Sequence, residues 1–166
     1  MYSVTLKNHY LLIKESLFVI ITYFIVIVFA LVMQFHNFEL FMIFFTIGFI
    51  LFFSPVIILH YTYYLQAKNM MIEFNEYGLR VFEGSIWKTI RNEDIISVEL
   101  YLSTSYAENG YSTGRYPSEE YYYSKIITHS DVVIINNLLY PELLNIDKFL
   151  DLSKFKYITR LFAFLP

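Results

Sequence analysis

The sequence predicts a membrane α+β protein: an N-terminal hairpin of two transmembrane helices, then a small antiparallel β domain of six to seven strands with a C-terminal helix. Two long stretches without charge predict the helices, since residues 16–38 carry no Asp, Glu, Lys or Arg and, after Glu39, residues 40–67 carry none. A change of composition predicts the second part: from Lys68 onward, ten Lys or Arg and thirteen Asp or Glu fall within ninety-nine residues. The expected division is residues 1–67 for the N-terminal segment and hairpin, and residues 68–166 for an aqueous domain.

The spans are expected at about residues 16–35 and 40–60. Crossing the hydrocarbon core takes about 20 mostly apolar residues. Within residues 17–35, fourteen positions are Leu, Ile, Phe or Val, each worth about −0.3 to −0.6 kcal/mol at mid-bilayer. Neither run shows the polar stripe of a helix in a water-soluble bundle. Gln34-Phe35-His36-Asn37 lacks the small residues of a signal-peptide cleavage site, so the first helix reads as a retained anchor. Lys7 and Lys14 precede the first span and Lys68 follows the second, whereas the turn between them has no Lys or Arg. Cations resist translocation, which places both termini of this multi-pass chain in the cytoplasm. Tyr10, Tyr61, Tyr63 and Tyr64 then share one interface. The polar groups inside the spans are few (Thr22, Tyr23, Thr46, Ser54), which argues against conduction or a proton relay. Pro55 kinks the second span, and Gly48, the one glycine of the spans, supplies no close-packing motif.

The aqueous domain reads first as strands. Residues 70–74 and 79–82 form a hairpin around Asn75-Glu76-Tyr77-Gly78, and Glu83-Gly84-Ser85 turns the chain into residues 86–90. Residues 95–102 alternate, with Ile96, Val98, Leu100 and Leu102 on one face and Ser97, Glu99 and Tyr101 on the other. Residues 122–128 and 132–136 make a further hairpin. Pro141 and Glu142 then suit the first turn of a helix. Phe155, Ile158 and Phe162 recur at helical spacing in a last stretch that also carries Lys154, Lys156 and Arg160.

This order of parts, with Gly78-Leu79-Arg80 and Ile90-Arg91-Asn92-Glu93-Asp94-Ile95 within the meander, resembles the membrane-anchored bacterial pleckstrin-homology-like (PH-like) proteins. The resemblance implies a bacterial inner membrane and a bent, near-barrel antiparallel sheet of seven strands closed at one end by the C-terminal helix; six strands are counted here, so the seventh is either missing or within residues 103–120. It does not imply phosphoinositide binding. Phosphoinositide-binding members place cations around the first hairpin to clamp phosphates, and the matching turn here is acidic.

Chemistry is sparse. The absence of cysteine excludes disulfides, thiolate metal sites and Cys nucleophiles, and a net charge of −3 gives no general attraction for nucleic acid. Gly110-Tyr111-Ser112-Thr113-Gly114 fits a nucleophile elbow by letter but lies in a polar loop without the strand–turn–helix context. His9, His36, His60 and His129 are scattered. Of these, His9 and His60 can meet at the cytoplasmic interface, where packing is the expected role. No catalytic, metal or cofactor site is expected. Two surfaces remain: a partner-binding loop with Tyr106, Tyr111, Arg115, Tyr116 and Tyr121, and a lipid-surface contact through Lys154, Lys156 and Arg160. The functional expectation is a non-enzymatic scaffold, adaptor or accessory subunit whose partners are the lipid bilayer and another protein. The alternative is an immunity or regulatory protein that binds a cognate toxin or effector at the membrane.

Overall fold

A computed structural model describes residues 1–33, 37–104 and 116–166. Two long helices, α1 (Leu6–Val32) and α2 (Phe38–Ala67), precede seven of the eight strands. Before them, β1 (Tyr2–Ser3) pairs antiparallel with β2 (Met71–Asn75), which places Tyr2 and Ser3 in the first sheet. Thr5 starts α1 as its cap, its Oγ1 accepting from the Asn8 amide.

The first sheet has the order β1-β2-β3-β4, with β3 (Gly78–Glu83) and β4 (Ile86–Arg91) continuing the meander as predicted. Its two turns use different devices. Asn75 Oδ1 accepts from the Tyr77 amide at 3.0 Å, and Gly78 follows with a φ of +146°. A Cβ on Gly78 would stand 2.1 Å from the Ile90 carbonyl oxygen, so only glycine lets β3 and β4 close there. Gly84 and Ser85 both have positive φ, as a two-residue turn with the right-handed twist of a hairpin requires.

The second sheet has the order β7-β6-β5-β8, built from β5 (Ile95–Ser103), β6 (Tyr123–Thr128), β7 (Val132–Asn136) and β8 (Phe155–Arg160). The β5 pattern departs from strict alternation, because a register shift between Ile95 and Ser97 turns Ile95 inward and leaves Ile96 half exposed. A bulge re-aims one residue without changing the rest of the strand, so Val98, Leu100 and Leu102 stay in the core as predicted.

The expected C-terminal helix is absent: residues 155–160 form β8, parallel to β5 with Val98 opposite Phe155 and Ser103 opposite Arg160. The segment before it is 3-10 rather than α-helical. Leu143 and Ile146 are buried and Phe149 packs on the same core, a spacing of three that matches the 3-10 turn. Phe155, Tyr157, Ile158 and Thr159 are aromatic or β-branched, and β5 needed a partner on its second edge. That unpaired edge outweighs the helical spacing of Phe155, Ile158 and Phe162.

Two cores result. The first fills the space between the sheets, with Ile72, Leu79, Val81, Val98, Leu100, Ile126 and Ile135 fully or almost fully buried. The second lies on the other face of the β5–β6 sheet, where Leu12 of α1 and Val56, Leu59 and Tyr63 of α2 meet Tyr101, Tyr121 and Tyr123. Strand alternation separates Tyr122, which enters the first core, from Tyr121 and Tyr123, which enter the second.

Away from the sheets, α1 and α2 expose apolar side chains. Phe18, Ile21, Phe24, Phe29, Phe44, Ile50 and Leu51 are all exposed. By length and composition α2 can cross a membrane, with only 17 % of its most apolar window buried, whereas the core helix of a soluble protein is mostly buried. The parts Leu6–Lys14 and Ser16–Val32 of α1 meet at 50° and pass the same test only when taken as one span.

Candidate functional site

The junction of helices and sheet gathers the polar groups that sequence reading left scattered. Asn8 donates from Nδ2 to the Leu138 carbonyl at 2.9 Å and so fixes the start of α1 to the turn after β7. Asn136, fully buried at the end of β7, donates to the Tyr63 carbonyl and to Gln66 Oε1, and its Oδ1 accepts from the amides of Leu138 and Leu139. Gln66 Nε2 donates to the Ile134 carbonyl at 2.8 Å, and the Tyr63 hydroxyl donates to the Ala163 carbonyl at 2.6 Å. These bonds clip the last turns of α2 to β7 and to the C-terminal segment. None of the four residues was singled out from sequence as a polar contact; a lone buried Asn becomes visible only when its partners are.

At the outer edge of this junction stands a chain of three side chains. His9 Nδ1 lies 2.8 Å from His60 Nε2, and His60 Nδ1 lies 2.9 Å from the Tyr121 hydroxyl. The protons are ordered by the buried end. Tyr121 is fully buried, burial holds its hydroxyl protonated well above the usual phenol range, and His60 is its one hydrogen-bond partner among the described residues. The hydroxyl therefore donates to His60 Nδ1, His60 donates from Nε2 to His9 Nδ1, and His9 carries its proton on Nε2. The reverse order would leave the Tyr121 proton with no acceptor among the described residues.

His9 and His60 open onto a cleft of ≈ 480 Å³ between the helices, which Ile13 and Ser16 of α1 and Val56 and Ile57 of α2 also line. His9 and Ile13 lie four residues apart on one face of the first part of α1, and Ser16 begins the part beyond the 50° bend. Ser16 Oγ is buried without a hydrogen-bond partner among the described residues. No group of three His, Cys, Asp or Glu suited to a metal ion occurs among the described residues.

Of the partner-binding loop, Tyr106, Tyr111 and Arg115 lie outside the described residues, as do the Gly110, Ser112 and Gly114 of the elbow-like pattern. Tyr116 is exposed, with its ring 5.3 Å from that of Phe52 on α2, and the 3-10 turn Pro117–Glu120 rests against both helices. Tyr121 is a core residue, its ring edge-on to Tyr63 at 5.3 Å.

The basic tail is a strand. Lys156, Ile158 and Arg160 share the face of β8 that looks toward the helices, and Arg160 stacks over the Tyr101 ring at 4.9 Å. Lys154 is set apart, donating to the Asn92 carbonyl at 2.6 Å. Tyr101 and Tyr123 stack at 4.5 Å, and burial pushes the Tyr123 hydroxyl up to about 12. At the first hairpin, Arg91 is paired with Glu93 at 3.2 Å beside the Glu76-Tyr77 turn. Comparison with protein families, with curated proteins and with solved structures finds no match to this chain.

Proposed function

We propose that the protein is a non-enzymatic inner-membrane protein whose helix pair anchors a PH-like two-sheet module at the cytoplasmic face, where the module serves as scaffold, adaptor or accessory subunit. The observation that carries this reading is the burial along α2: Phe53, Val56, Leu59, Tyr63 and Ala67 are buried, while residues 40–52 present apolar side chains outward or half-outward. A helix of 30 residues is about 45 Å long, against a hydrocarbon core of about 30 Å. The remainder is the part locked to the sheets. The meanders β2-β3-β4 and β5-β6-β7 are compatible with this reading, although they lie in two separate four-stranded sheets rather than one bent sheet and β8 stands where the PH-like layout has a helix.

The absence of cysteine makes the topology directly testable. In the full chain, Asn37→Cys should react with a membrane-impermeant maleimide applied to the periplasmic side. Glu76→Cys should react only after the inner membrane is opened. Labelling of Glu76→Cys in intact spheroplasts, or recovery of the chain in the supernatant without detergent, overturns the anchor reading. For the adaptor role, purification in mild detergent should retain a companion protein in fixed stoichiometry, and a chain that purifies alone under those conditions argues against it.

A further inference from the structure

We infer that the cleft between α1 and α2 binds one phospholipid of the surrounding bilayer, with a phosphate oxygen accepting from His9 and the acyl chain lying along Ile13, Val56 and Ile57. The inference rests on the membrane-anchored reading and adds a ligand to it. Its volume, ≈ 480 Å³, lies in the range of about 300–1,000 Å³ common for small-molecule sites. The proton order set by Tyr121 leaves His9 Nε2–H as a donor with no hydrogen-bond partner among the described residues, at the mouth of an apolar cleft. Seven residues on, just past the 50° bend between Leu6–Lys14 and Ser16–Val32, the Ser16 hydroxyl lines the same cleft, 5 % exposed and without a hydrogen-bond partner among the described residues. Two donors without acceptors among the described residues, one at the interfacial end and one deeper, call for a ligand with oxygens at its head and in its upper body.

A phospholipid has that chemistry, in its phosphate and its ester carbonyls. The charge also fits. Among the described residues that line the cleft two are imidazoles and none is a carboxylate, so an anionic oxygen meets donors there. Tyr61 and Tyr64 complete the rim with amphipathic rings of the kind found at headgroup depth. A free fatty acid would satisfy His9 with its carboxylate, but both of its oxygens sit on one carbon and none lies further along the chain for Ser16.

The test uses the full-length protein in a mild non-ionic detergent, titrated with palmitoyl-oleoyl phosphatidylglycerol, the corresponding phosphatidylcholine, or palmitate, and read by native mass spectrometry. One discrete phospholipid adduct per chain is expected with either phospholipid, since both carry the phosphate. Ile57→Trp, at a position 65 % exposed and therefore tolerant of size, fills the cleft and should reduce occupancy at least about tenfold. His9→Phe should weaken it several-fold, and Ile21→Trp on the outer face of α1 should leave it unchanged. A ladder of several lipids insensitive to Ile57→Trp, preference for palmitate, or no adduct overturns the inference. A membrane-integral protein without the adduct leaves the anchor reading standing; a chain soluble without detergent ends both.

Discussion

Gly78 and Gly84 are both turn glycines with positive φ, yet they meet different surroundings. A side chain at Gly78 collides with the Ile90 carbonyl, whereas nothing lies within 4 Å of the position a Cβ would take on Gly84. Gly78→Ala is therefore expected to cost about 1–3 kcal/mol from strain alone, with further loss where β3 and β4 part. Gly84→Ala should cost only the left-handed penalty of about 1 kcal/mol. Thermal melts of the two variants in detergent should rank them in that order, and equal midpoints would refute the argument. Asn136 shows the same dependence on surroundings: one carboxamide serves two carbonyl-type acceptors and two amides, and no hydrophobic pattern announces it.

At the scale of elements, the turn between β6 and β7 is tied to β4 across the sheets. Lys88 Nζ lies 2.6 Å from Asp131, and the Val132 amide also donates to that carboxylate. Lys88 and this amide hold the Asp131 carboxyl below its usual 3.8, while Asp131 raises the Lys88 ammonium above 10.5. A depressed acid stabilises the fold above its unfolded pKa and loses that contribution as pH falls through the folded value. A raised base stabilises below its unfolded pKa and loses its share as pH rises through the folded value. The pair's contribution should thus be flat between about pH 5 and pH 10 and decline outside that window. Asp131→Asn should lower stability within the window and shallow the acid limb of a stability–pH curve. The effect is small, because both partners are solvent-exposed.

The closing strand makes a sharper claim about elements. β8 covers the second edge of β5, the longest strand among the described residues, and the Ala163 carbonyl beyond it receives the Tyr63 hydroxyl. A chain cut after Ser153 should expose that edge and self-associate, as unpaired edges do, visible as a shift to larger species on size exclusion in detergent. A C-terminal segment that were helical and peripheral could be removed with no such shift.

For the molecule as a whole, helices and sheets share a core. Leu59, Tyr63 and Ala67 are fully buried against the sheets, so residues 61–67 belong to the folded domain as much as to the span. Residues 68–166 produced alone should expose Tyr101, Tyr121, Tyr123 and Leu138 and leave the Asn136 donors unpaired. The expected result is an aggregated or loosely packed species without a near-ultraviolet dichroism signal; a sharp, cooperative melt of that fragment would contradict it.

The two apolar runs, the strands from Met71 to Asn136 and the turn glycines were legible because each is a local pattern: absence of charge, alternation, a residue able to take positive φ. The meeting of His9 with His60 was foreshadowed by topology alone. What the local pattern left undecided was settled by long-range pairing. The same Phe155–Arg160 segment fits a helix by spacing and a strand by residue type, and only the vacant edge of β5 selects the strand. Tyr121 looks like its neighbours in a tyrosine-rich stretch, and only burial under α2 makes it the anchor of a proton order. Sequence determines where apolar surface must go; which polar atoms meet inside the fold depends on contacts between residues far apart in the chain, which a one-dimensional pattern does not encode.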